Sequence, residues 1–116
     1  MPPKYDVGAT PQAFVPCVAL AELPPGSQRS VVCGVLRVLV CHTGEGVFAV
    51  RDLCPHALQP LAGGEIVGGL IRCPKHGALF ALATGEPENS VTNERLTTFR
   101  IRLRHGQIEI ATEAGP

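Results

Sequence analysis

Glycine and proline punctuate this chain so densely that it must turn often and can hold little helix. Together they make up 24 of its 116 residues, about a fifth, against a norm of roughly 12%. Between the breaks the chain is apolar rather than charged, with 45% hydrophobic and 17% charged residues, which excludes a disordered polymer. Short β-branched runs bounded by turn residues specify strands. Many such runs in a chain of ordinary domain length describe one compact all-β domain.

The runs can be placed. Residues 13–20 are apolar but contain Pro16, which suits an edge strand and rules out a helix. Residues 31–32 and 35–41 are β-branched and broken by Gly34; a Thr43–Gly46 turn leads to a return strand over 47–51. Residues 66–67 and 70–71 flank Gly68-Gly69, a two-residue hairpin turn. A short strand over 78–82 follows, then a turn-rich stretch over 84–89. Residues 98–104 alternate, with Phe99, Ile101 and Leu103 on one side and Arg100, Arg102 and Arg104 on the other, and residues 107–111 pair back. Residues 1–12 and 112–116 are expected to be loose.

Ten basic and ten acidic residues cancel. That argues against nucleic-acid binding driven by bulk charge and against a polybasic membrane surface. The longest apolar stretch, 31–41, is interrupted by Arg37 and too short to span a bilayer. Residues 1–12 show no secretory pattern, so a cytoplasmic location is expected. There the five cysteines should be reduced unless they bind metal. Cys17, Cys33 and Cys41 lie in apolar strand runs and read as small core residues. His42 and His105 read as surface histidines, and the three arginines as a solvated strand face. Gly63, Gly64, Gly68 and Gly69 read as turn residues.

Chemistry concentrates in two loops, Cys54-Pro55-His56 and Cys73-Pro74-Lys75-His76-Gly77, with 16 residues between His56 and Cys73. Chance gives both spacings, with a proline after each cysteine, at a frequency below ~0.001. A Cys54–Cys73 disulfide would leave the histidines without a role. A single zinc could take all four side chains, but zinc sites usually group like ligands in each loop. One sulfur and one nitrogen per loop suits a two-metal centre in which both cysteines hold one iron and both histidines the other. That is the ligand set of a Rieske [2Fe–2S] centre.

These two loops resemble the cluster-binding boxes of Rieske proteins. Leu61 stands where the first box ends in leucine, and Gly77, Phe80 and Thr84-Gly85 match the continuation of the second. The likeness spans about residues 47–87 and is greatest to the soluble Rieske ferredoxins of aromatic ring-hydroxylating oxygenase systems. It implies a small antiparallel β-sandwich or barrel over residues 1–116, with a two-loop cluster-binding subdomain at about 52–87. It also implies one [2Fe–2S] cluster, with Cys54 and Cys73 on the inner ferric iron and His56 and His76 on the outer iron.

The function implied is that of a soluble electron carrier without catalysis of its own. It would take electrons from a flavin-dependent NAD(P)H reductase and pass them to a terminal Rieske non-haem iron oxygenase. The small Rieske subunit of an assimilatory nitrite reductase is the alternative, and a structural metal module a third. Docking is expected around His56, His76, Leu58, Gln59, Pro60 and Lys75. Gln59 and Lys75 stand where respiratory Rieske subunits carry an extra disulfide, and Ala78 and Phe80 where those subunits place hydroxyl groups near sulfur. Fewer donors to sulfur lower the potential, to about −150 mV at the bottom of the Rieske range.

Overall fold

The computed structural model describes residues 14–55 and 58–112. The loose ends expected at 1–12 and 112–116 therefore lie outside the described residues, except for Thr112. β1 (Phe14–Ala19) leads through a 3-10 turn (Leu20–Glu22) to β2 (Gln28–Cys33), β3 (Leu36–Thr43) and β4 (Gly46–Arg51). Then come β5 (Ile66–Val67), β6 (Leu70–Arg72), β7 (Leu79–Ala81), β8 (Thr98–Arg104) and β9 (Gln107–Ala111). The ladders are antiparallel, as the family resemblance implies.

Six strands form a sheet in the order β1-β9-β8-β4-β3-β2, and three form a smaller one, β5-β6-β7. The large sheet curls so that its edge strands β1 and β2 approach each other without a ladder between them. The result is a nearly closed barrel. Across its seam Cys17 and Cys33 form a disulfide, their Cα atoms 6.0 Å apart. This corrects the expectation that both are reduced core residues. The cause lies in the register of β1 on β9, where Ile108 faces Val18 and Glu109 faces Pro16. Cys17 is therefore the extra residue of a bulge, and a bulge re-aims its side chain, here toward the opposite edge strand.

β3 explains why two cores exist. Its residues Val38, Leu39, Val40 and Cys41 are all fully buried, so the strand is covered on both faces, as a continuous apolar run demands. Val38 and Val40 point into the barrel with Val18, Ala49, Ile108 and Ile110. Leu39 and Cys41 point the other way, into a second cluster shared with Val50, Ile71 and Phe80. That second core carries the two loops.

Three surface residues add detail to the expectation, while Arg100, Arg102 and Arg104 are all exposed as expected. Leu103 is 55% exposed and lies beyond Thr98 and Phe99, the part of β8 that pairs with β4. Arg102 on the other face is engaged, bonding the Glu109 carboxylate at 2.6 Å and lying 4.4 Å over the Phe14 ring. His42 is half-buried, its Nδ1 2.7 Å from the Leu23 carbonyl, rather than a plain surface residue.

Candidate metal centre

The two cysteine loops have the same backbone construction. Cys54 donates its N–H to the Gln59 carbonyl at 2.7 Å and accepts the Leu58 N–H at 2.7 Å. Cys73 donates to the Ala78 carbonyl at 2.7 Å and accepts the Gly77 N–H at 3.0 Å. In each loop the residue four places after the cysteine turns through the left-handed region, Leu58 with φ 53° and Gly77 with φ 79°. The chain thus makes one tight turn twice and sets a cysteine at the root of each.

Both roots end inside. Cys54 and Cys73 are buried and share one apolar cluster with Leu61, Ala78, Phe80 and Leu82. His76 and Lys75, farther along the second turn, are exposed. In the second turn the candidate sulfur ligand is thus buried and the candidate imidazole exposed. Cys54 and Cys73 are not joined to each other as a disulfide. His56 lies outside the described residues. Among the described residues, which do not include His56, no three metal-ligating side chains converge.

Cys41 shares the cluster. Burial, reinforced by the nearby Asp52 charge, pushes its thiol from the ordinary 9.0 up to about 12.

Three polar side chains fix the loops, and the sequence reading named none of them. Asp52 is 5% exposed, and its Oδ1 accepts the N–H groups of Leu61 at 2.7 Å and Ala62 at 2.9 Å. Its Oδ2 accepts the Ser30 hydroxyl at 2.6 Å. The carboxylate thus ties the end of the first loop to its start and to β2. Gln28 completes the tie, its Nε2 donating to the Gly64 carbonyl at 2.9 Å and its Oε1 accepting the Gly63 N–H at 2.8 Å. Gly64 is more than a turn residue, since a Cβ there would run into the Arg72 carbonyl. In the second loop Asn89 bonds on both sides of Ala78, to the Gly77 carbonyl and the Leu79 N–H. An aspartate two residues before the first cysteine was the one local signal available.

Comparison with known proteins agrees with this geometry. Residues 13–100 match the Rieske [2Fe-2S] domain. Ferredoxin CarAc of Metapseudomonas resinovorans is 30% identical over 103 residues, covering 88% of this chain and 96% of its own. The anthranilate 1,2-dioxygenase ferredoxin subunit of Burkholderia cepacia is 30% identical over 102 residues, covering 88% and 94% respectively. A chain in the solved complex of reduced oxygenase and oxidized ferredoxin of carbazole 1,9a-dioxygenase superposes with a TM-score of 0.82 at 29% identity, over 91% of this chain and 99% of that one. Two equivalent cysteine turns on a nearly closed antiparallel barrel, matched over most of the chain, make this protein a member of the Rieske [2Fe-2S] domain family in its small ferredoxin form.

Proposed function

We propose that this protein is a one-electron carrier holding one Rieske-type cluster on Cys54, His56, Cys73 and His76. It would receive electrons from a flavin-dependent NAD(P)H reductase and deliver them to a terminal oxygenase that hydroxylates an aromatic ring. The observation that carries the reading is the pair of equivalent turns, with both cysteines buried in one cluster and His76 at the surface. When bound, the cluster supplies a single reversible electron at its histidine-ligated iron. The protein positions and shields it. The apolar cluster around Cys54 and Cys73 keeps water from the sulfur side, and the Asp52 and Asn89 bonds hold the two turns in place.

Transfer needs close approach, so the docking face should surround the histidines. Leu58, Gln59, Pro60, Lys75 and His76 are all exposed, Leu58 by 70%, and together offer a small, partly apolar contact of the kind redox partners use. Residues 1–116 act as one domain in this reading, with the cluster-binding part at about 52–87. A cytoplasmic setting, where NAD(P)H is at hand, goes with it, although a disulfide such as Cys17–Cys33 is rare in that compartment. No helix among the described residues is long and apolar enough to cross a membrane.

The test is reconstitution. With a matching reductase and oxygenase, NADH-driven formation of hydroxylated aromatic product should require this protein and stop when it is left out. Lys75→Glu should slow the transfer without altering the visible spectrum, while Arg100→Glu should not. NADH-driven nitrite reduction that requires the protein, with no aromatic product in any combination, would favour the nitrite reductase assignment instead.

A further inference from the structure

Asn89 stands where the stretch after β7 turns back along that strand. The backbone ladder there is short. Ala81 donates to the Glu86 carbonyl at 2.9 Å, Glu88 donates to the Leu79 carbonyl at 2.8 Å, and Phe80 bridges Pro87. The Leu79 N–H then goes to a side chain, the Oδ1 of Asn89 at 3.3 Å. The same oxygen accepts the Val91 N–H at 3.3 Å. An antiparallel ladder would have offered a backbone carbonyl at that point. Asn89 supplies the missing acceptor, and this frees its amide nitrogen for a second task. Nδ2 donates to the Gly77 carbonyl at 2.9 Å.

That carbonyl belongs to the residue directly after His76. The Gly77 N–H is already held by the Cys73 carbonyl at 3.0 Å, and the Ala78 carbonyl by the Cys73 N–H at 2.7 Å. With Asn89 on the Gly77 carbonyl, both peptide units after His76 are fixed, one to Cys73 and one to a segment outside the loop. We propose that Asn89 is a positioning residue for the outer side of the cluster, orienting the His76 imidazole through the Gly77–Ala78 peptide. The inference rests on the assignment of His76 as a ligand. Asn89 does not touch the cluster in this account; it acts through the loop. Ring orientation sets how far unpaired spin spreads from the iron onto the imidazole, so the nitrogen coupling of His76 reports it directly.

Three variants separate this role from a structural one. Asn89→Ala removes all three bonds. Asn89→Asp keeps an acceptor for Leu79 and Val91 but sets an oxygen against the Gly77 carbonyl. Pro87→Ala disturbs the same stretch without touching Gly77. Each is loaded with iron and sulfide, reduced with dithionite and examined by pulsed EPR. The wild-type protein should show two histidine nitrogen couplings. Asn89→Ala and Asn89→Asp should shift one of them and leave the other in place, while Pro87→Ala should shift neither. Amide exchange at Leu79 and Val91 should accelerate in Asn89→Ala and stay slow in Asn89→Asp.

Wild-type couplings in both Asn89 variants would overturn the inference and leave the cluster assignment standing. So would failure of both Asn89 variants to load iron if Pro87→Ala, of equal thermal stability, failed as well. Absence of histidine nitrogen couplings in the wild-type protein would instead remove the ligand assignment, and the inference with it.

Discussion

Leu58 and Gly77 occupy the same place in two different loops. Each donates its N–H to the carbonyl of the cysteine four residues earlier, and each has a positive φ, 53° and 79°. Glycine adopts that conformation without penalty, whereas a side chain costs about 1–2 kcal/mol. A Cβ on Gly77 would meet nothing nearer than the Arg72 guanidinium at 4.0 Å, so the cost of adding one is purely conformational. Gly77→Ala should therefore destabilise the loaded protein by about 1–2 kcal/mol in urea denaturation. Leu58→Gly should be neutral or stabilising. Equal losses in the two variants would mean that the loops are not equivalent.

Asp52 closes the first loop. Asp52→Ala leaves the Leu61 and Ala62 N–H groups without their acceptor; Ala62 is exposed and water can replace its partner, but Leu61 is buried, and a buried orphan costs about 1–3 kcal/mol. Urea denaturation should show a loss of about 1–3 kcal/mol, and iron per chain should fall. Asp52→Asn keeps an oxygen for both donors and should lose less than half as much. Full iron loading and unchanged stability in Asp52→Ala would contradict the tie.

The raised pKa of Cys41 has a direction in pH. Below pH 9.0, its ordinary value, the thiol is protonated in both folded and unfolded chains and its stabilising effect is fully present. As pH rises from there toward about 12, only the unfolded chain gives up the proton. Stability should fall by about 1.4 kcal/mol per pH unit from this group. Cys41→Ala, compared with wild type by denaturation at pH 8 to 11 (approximate test limits), should flatten the curve by one proton. Parallel curves would show that Cys41 does not titrate in this way.

The disulfide closes a loop of modest length, residues 17 to 33, with a sequence separation of 16. A loop of that size restricts the unfolded chain by about 3 kcal/mol. Dithiothreitol should lower the stability of the wild-type protein toward that of Cys17→Ala and leave Cys17→Ala unchanged. Equal stability of the two proteins without reductant would show that the seam is held by packing alone.

What the sequence revealed and what it hid have physical causes. The two turns that begin at Cys54 and Cys73 were legible because a proline after each cysteine marks a rigid turn. The strands were legible because β-branched runs end at glycine and proline. Gln28, Asp52 and Asn89 act through bonds to backbone groups in other segments, Gln28 across 36 residues, and no local pattern encodes such a contact. The Cys17–Cys33 pair depends on a bulge and on the order of strands around the barrel, both decided by the whole sheet. Leu103 alternates like a buried residue but lies beyond the part of β8 that pairs with β4 and is 55% exposed.

The most direct test of the central claim is the EPR spectrum of the dithionite-reduced protein, recorded together with iron and sulfide content. The account predicts two irons and two labile sulfides per chain, an average g below the free-electron value, and nitrogen couplings from two histidines. Cys54→Ser and Cys73→Ser should abolish the signal, and Cys41→Ala should keep it. A reduced cluster without nitrogen couplings, or a colourless protein holding one zinc after anaerobic preparation, would contradict it.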